Sequence, residues 1–267
     1  MYKMIVMDLD GTLLRSNSTV SENSKRAIQK CKDQGIKVVL ASGRMHYAMK
    51  PIIKELGLEE GLHIGGNGSI IFSLQGFIEV LPVVKEEKYP DLIDKLQKEQ
   101  VEMLAYSKEN IYYDFAPKLT QTIRRFYNNR IFPIQTKSIK DLKNIIKIVL
   151  YIKEQEKRKE EKIKKLLQEE VAIYRSHSLF VDIIHKNISK YRALQHVMKK
   201  YKINPKEVMA IGDSENDVEM IKNVGWGIAM CNGSDIVKHK ADYITSKSND
   251  QDGIVDILEQ FVLKKAS

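Results

Sequence analysis

The sequence predicts an α/β protein: a Rossmann-like parallel-sheet core with a second, α+β module inserted into it. Three observations carry this. A strand, helix, strand succession near the amino terminus has the spacing of a parallel βαβ unit. The same pattern returns after Ile184, ending in a second acidic loop. Between the two, residues 83–184 hold no glycine and alternate helical and strand patterns of their own. The expected division is a discontinuous core, 1–82 with 185–267, and an inserted domain, 83–184.

The apolar run Met4-Ile5-Val6-Met7 reads as a buried strand ending at Asp8. Ser21 is placed to cap a helix carrying Ala27, Ile28 and Cys31, which closes at Gly35. Ile36 to Ala41 is the second strand, Met45 to Leu56 a helix, and Ser69–Phe72 with Phe77–Leu81 a hairpin around Gln75-Gly76. In the insert, helices are expected over Lys85–Gln100, Pro117–Asn129 and the charged run from Lys153 to Glu170. Strands are expected over Val101–Tyr106, Ile111–Phe115, Ile145–Ile152, Val171–Tyr174 and Leu179–Ile184. The returning core pattern is a helix over Lys190–Tyr201, a buried strand over Val208–Ile211, a short helix through Met220, strands at Trp226–Met230 and Tyr243–Thr245, and a final helix.

At 267 residues the chain can bury a large core, and two domains of modest size fit its length. The net charge of +9 is spread along the chain, and its densest run interleaves Lys and Arg with Glu as a solvated helix face would. Nucleic-acid binding, which needs basic residues gathered on one face, is not expected. Cys31 and Cys231 have neither disulfide-framework nor zinc spacing, as suits a reducing cytosol. No apolar run approaches the length of a membrane span, and no signal-peptide pattern is visible. The six histidines show no ligand spacing, His177 and His185 among them. Trp226 is expected in the core.

Asp8 and Asp10 stand at the end of the first strand, where a turn at Gly11 can bring both to one mouth. An acidic pair there is as often a turn or a cap as a site. Here, however, three strand ends deliver Asp8 and Asp10, Ser42, and Asp213 with Asp217 to the carboxyl edge of one sheet, where ligands of open parallel sheets collect. Carboxylates crowded together repel unless a cation neutralises them. An all-oxygen donor set handling phosphate indicates a hard ion, Mg2+. Ser42 and nearby backbone N–H groups would hold phosphate oxygens, with a lysine offsetting the remaining charge. Lys190, at a helix start in a lysine-rich protein, reads on its own as a surface residue. Asn67 either faces the substrate or occupies a left-handed turn.

The combination of DLDGT at Asp8–Thr12, ASGR ending in Ser42-Gly43-Arg44, a lysine within Ile188-Ser189-Lys190, and GDSEND at Gly212–Asp217 resembles the haloacid dehalogenase (HAD) superfamily of phosphatases, specifically its Cof-type members with a type IIB cap. The tail segments AMCNG, ADYIT and NDQDG are similar to that group too, with Cys231-Asn232-Gly233 standing where it more often has glycine, asparagine and alanine. The resemblance covers nearly the whole chain. It implies an HAD-like core in which Asp8 is the nucleophile that forms an aspartyl phosphate and Asp10 the acid and base. It implies Mg2+ bound by the Asp8 carboxylate, the Asp10 backbone carbonyl and the Asp213 carboxylate, with Asp217 supporting the metal or orienting Lys190. Ser42, the Gly43 and Leu9 N–H groups, Lys190 and Asn216 would bind the transferring phosphoryl group.

On this resemblance the inserted domain is a cap that shields the intermediate and selects the substrate. Tyr112, Tyr113, Arg124, Arg125 and Tyr127 either line a pocket there or are ordinary surface and packing residues. The expected function is Mg2+-dependent hydrolysis of small phosphorylated metabolites, such as sugar phosphates, flavin mononucleotide or pyridoxal phosphate. The alternatives are a phosphosugar mutase or phosphotransferase, and a non-catalytic phosphometabolite-binding protein. The expected partner is the small phosphorylated metabolite, without nucleic acid or membrane, in a cytoplasmic monomer or small homo-oligomer.

Overall fold

The computed structural model describes residues 2–126 and 131–263. Its first strand, β1 (Met4–Met7), is buried throughout and runs into Asp8. The Ser21 hydroxyl accepts the Ser24 N–H and so caps α1 (Glu22–Asp33), which buries Ala27, Ile28 and Cys31. Then follow β2 (Lys37–Leu40), α2 (His46–Glu55), β3 (His63–Gly65), β4 (Ile70–Ser73) and β5 (Gly76–Val80). The last three form a small sheet in which β3 and β4 are antiparallel.

The insert contributes α3 (Tyr89–Lys98), β6 (Met103–Tyr106), β7 (Ile111–Tyr113), α4 (Pro117–Phe126), β8 (Ile134–Gln135), β9 (Lys147–Tyr151), α5 (Lys157–Leu167), β10 (Val171–His177) and β11 (Phe180–His185). The expected helical residues 127–129, and with them Tyr127, lie outside the described residues. The strands form a sheet of order β10-β11-β9-β6-β7-β8. Alternate residues of its strands, Met103, Ala105, Ile148, Leu150, Val181 and Ile183, join Leu92, Ile93 and Leu96 of α3 and Ile163 and Leu167 of α5 in one core, as the period of two requires. The charged run is not wholly solvated: Glu160 is buried beside Ile163 and takes the Arg175 guanidinium.

The chain then supplies α6 (Lys190–Tyr201), β12 (Val208–Gly212), α7 (Val218–Lys222), β13 (Trp226–Ala229), α8 (Asp235–Lys238), β14 (Tyr243–Ile244) and α9 (Gly253–Phe261). These complete a parallel sheet of order β14-β13-β12-β1-β2. β1 connects onward to its neighbour β2, whereas β12 on its other side connects away to β13, so a crevice opens between the carboxyl ends of β1 and β12. Ala193, Leu194, Val197 and Met198 of α6 pack with Met4, Val6, Val39, Val208 and Ala210 of the sheet.

Two compact units result: Met1–Ile78 with Ser189–Ser267, and Glu79–Ile188. Trp226 departs from expectation, for it is half-buried in an aromatic cluster, with ring centroids 4.5 Å from Phe261, 5.6 Å from Tyr243 and 6.3 Å from Tyr2. β3, β8 and α8 are not among the expected elements.

Candidate active site

The candidate catalytic residues named above all lie in the first unit. Asp8 is 4% exposed and continues β1, its N–H donating to the Ile211 carbonyl of β12 at 3.0 Å. Ser189 caps α6 by accepting the Arg192 N–H, which sets Lys190 as the first helical residue. Lys190 is fully buried, and its Nζ donates to Asp8 Oδ1 at 2.6 Å and to Asp217 Oδ1 at 2.7 Å. The surface position that Lys190 suggests when read alone is therefore wrong: its charge is sequestered between two carboxylates. Burial would depress the Lys190 pKa, but Asp217 and Asp8 outweigh it and raise it above the ordinary lysine value. For Asp8 burial is the largest influence and Lys190 opposes it, while Asp217 and Asp10 add repulsion, leaving its pKa at about 7.

Asp213 follows β12 and comes close to the turn after Asp10. Its Oδ1 accepts the Thr12 hydroxyl at 3.1 Å. Gly11 is at φ +77°, and a Cβ there would lie 2.4 Å from Asp213 Oδ2; only glycine allows both the left-handed backbone and this approach. Gly212 allows a similar close approach of Asp217, whose Cγ would lie 2.5 Å from an added Cβ. Asp217 Oδ2 accepts the N–H groups of Asp213 and Ser214 at 3.0 and 3.1 Å, so both its oxygens are engaged by protein donors.

Ligand oxygens of Asp8, Asp213 and Asp217 lie within 4.8 Å of one another. Burial first, then Asp8 and Asp217, raise the Asp213 pKa well above the carboxylate range, against the opposing pull of Lys190 and Thr12. Three crowded carboxylates against one lysine form a donor set that a hard divalent cation suits. Asp217 is the poorest ligand of the three, since its lone pairs already serve Lys190 and the loop N–H groups.

Asn216, also buried, donates from Nδ2 to Asn67 Oδ1 at 2.8 Å and accepts the Ser214 hydroxyl at 2.6 Å. Asn67 occupies the left-handed region at φ 58°, the turn that was one of its two readings. Ser42 is buried just past β2, where the Ala41 N–H donates to Met7 O at 2.9 Å, so the chain leaves β2 at the same sheet edge as Asp8 leaves β1. Leu9 is buried in the turn, its carbonyl accepting the Leu14 N–H at 2.8 Å.

Asp10 is turned differently. Arg44, 8% exposed, donates from Nε to Asp10 Oδ2 at 2.7 Å and from Nη2 to Oδ1 at 2.5 Å. No role for Arg44, Thr12 or Asn232 follows from the sequence, although all three stand within the quoted motifs. Asn232 donates to the Gly11 carbonyl at 2.7 Å and accepts the Asn249 N–H at 3.1 Å, tying the tail segment to the acidic turn. The sole advance signal was their place next to strand ends.

Residues 5–258 match the family model of haloacid dehalogenase-like hydrolases. Over 262 residues the chain is 30% identical to the 5-amino-6-(5-phospho-D-ribitylamino)uracil phosphatase YcsE of Bacillus subtilis, covering 98% of this chain and 96% of that protein. A phosphoglycolate phosphatase of Methanobrevibacter smithii is 27% identical over 260 residues, covering 97% of this chain and 98% of that one. Among solved structures, a haloacid dehalogenase-like hydrolase from Bacteroides thetaiotaomicron shares 30% identity at a TM-score of 0.83, over 97% of this chain and 99% of its own. The chain belongs to the haloacid dehalogenase-like hydrolase family, among relatives named as phosphatases.

Proposed function

We propose that this chain is a Mg2+-dependent phosphatase of small phosphorylated metabolites that works through a phosphoryl group carried on Asp8. The observation that bears most weight is the buried Asp8 carboxylate held by Lys190 and crowded by Asp213 and Asp217. A carboxylate kept in place and stripped of water is suited to attack phosphorus. Asp8, the Asp10 backbone carbonyl and Asp213 would hold the metal, which supplies charge neutralisation for the phosphoryl oxygens.

Asp8 attacks phosphorus while the bond to the leaving oxygen breaks, and Asp10 gives that oxygen its proton. Water then attacks phosphorus, the bond to Asp8 breaks, and Asp10 takes the water's proton, restoring both residues and releasing inorganic phosphate. Lys190 stabilises the charge on Asp8 and on the phosphoryl oxygens, Asp217 keeps Lys190 in place, and Ser42, Gly43, Leu9 and Asn216 orient the phosphoryl group. The insert, 83–184, acts as the cap that selects the leaving group.

Phosphate release is measured across a panel containing phosphoglycolate, sugar phosphates, flavin mononucleotide, pyridoxal phosphate and the ribitylaminouracil phosphate named for the Bacillus relative. Turnover that depends on Mg2+ and disappears in Asp8→Asn is expected. Full turnover by Asp8→Asn on the best substrate would overturn the assignment.

A further inference from the structure

We propose that Arg44 is a positioning residue for proton transfer: its guanidinium fork sets the orientation of the Asp10 carboxylate, and it acts on the leaving group only through Asp10. The inference rests on Asp10 being the acid and base of the phosphatase reaction. Among the described residues, both hydrogen bonds to the Asp10 carboxylate come from Arg44, through Nε at 2.7 Å and Nη2 at 2.5 Å. The Asp10 side chain is 38% exposed, whereas that of Arg44 is 8% exposed. The exposed acid is thus located by a buried, rigid partner.

Arg44 is itself fixed from both sides of its backbone. Its N–H donates to Ser42 Oγ at 3.1 Å, and its carbonyl accepts the Gly66 N–H at 2.9 Å. A Cβ on residue 65 would come within 3.2 Å of that carbonyl, so the glycine there permits the close approach of the two segments. A bidentate fork fixes both the direction and the plane of a carboxylate, which a single donor does not.

The clamp is compatible with proton transfer. A carboxylate offers about four lone-pair sites, and a fork uses one on each oxygen. A proton can occupy a remaining site on Asp10, pass to the leaving oxygen as its bond to phosphorus breaks, and be replaced from the attacking water. Without the fork, the Asp10 side chain is free to sample other staggered rotamers, most of which aim the acid elsewhere.

The test compares an alkyl phosphate, whose leaving oxygen needs a proton, with p-nitrophenyl phosphate, whose leaving group departs as an anion. Arg44→Met is expected to lower kcat for the alkyl phosphate by about a hundredfold with KM nearly unchanged, the scale of loss for a misplaced catalytic group. For the aryl phosphate the first step should be nearly unaffected, as read from the nitrophenolate burst. The ratio of the two rates within one preparation is independent of the fraction folded. Arg44→Lys, which keeps the charge but loses the fork, should recover only part of the alkyl rate. In Asp10→Asn, adding Arg44→Met should cause no further loss.

Equal losses for both leaving groups, full recovery with lysine, or multiplied losses in the double variant would each overturn the inference. If Asp10→Asn itself keeps full alkyl phosphatase activity, the acid assignment fails. If it loses activity while Arg44→Met does not, only the role of Arg44 fails.

Discussion

Replacing Lys190 with methionine removes a buried cation from between two carboxylates while nearly preserving its volume. In the native site Nζ is 2.6 Å from Asp8 and 2.7 Å from Asp217, with side-chain exposures of 0%, 5% and 0% for Lys190, Asp8 and Asp217. Breaking a buried ion pair from one side costs about 3–5 kcal/mol, because the orphaned charge stays buried. For a protein of this size each kcal/mol moves the midpoint by roughly 2–4 °C, so Tm should fall by about 10 °C at pH 8. Part of this is recoverable by protonation. The Asp8 pKa already lies at about 7, above its unfolded value of 3.8, so the ionised acid opposes folding and its penalty grows as pH rises between those values. Without Lys190 the pKa rises further, and the difference from the native protein should be larger at pH 8 than at pH 5.5. Urea denaturation of both proteins in chelator, at the two pH values, reads this directly. A difference below about 1 kcal/mol, or one unchanged by pH, would refute the buried-pair account.

Three further outcomes are expected. Gly11→Ala forces a side chain into a left-handed backbone at φ +77° and places its Cβ 2.4 Å from Asp213 Oδ2; stability should fall by about 1–2 kcal/mol and the Mg2+ concentration for half-maximal activity should rise. His63 is fully buried, accepts the Leu40 N–H at Nδ1, and is pushed by burial to a pKa of about 4 from 6.5. Its depressed value means that stability is complete above pH 6.5 and is lost as pH falls towards 4, by about 3 kcal/mol, so His63→Gln should show a flatter urea-stability profile over that range. Asn216→Ala removes the Nδ2 donor that meets Asn67 Oδ1 at 2.8 Å and, on the proposed function, an amide that orients the phosphoryl group; kcat/KM should fall about a hundredfold, with inorganic phosphate inhibiting more weakly.

Much of the core was legible in the sequence because its signals are local. The apolar runs ending at Asp8, Ala41 and Gly212 became parallel neighbours, and Ser21 caps the helix that follows it. The burial of Lys190 was not legible from its neighbours, since it depends on carboxylates 182 and 27 residues away in the chain. The motif resemblance supplied what local chemistry could not. The Arg44–Asp10 fork and the Asn67–Asn216 bond are likewise products of tertiary folding, joining strand ends that composition and periodicity treat separately. Glu160 read as part of a solvated face because nothing near it announces Arg175, which arrives from the following strand.

On the proposed mechanism Asp8 carries the phosphoryl group between two half-reactions. Acid-quenching Asp10→Asn during turnover of p-nitrophenyl phosphate and locating any adduct by peptide mass spectrometry reads this step itself. That leaving group needs no acid, whereas removal of the water's proton needs Asp10, so phosphoryl enzyme should accumulate on the peptide containing Asp8. Turnover with no adduct, or an adduct on another residue, would contradict the claim.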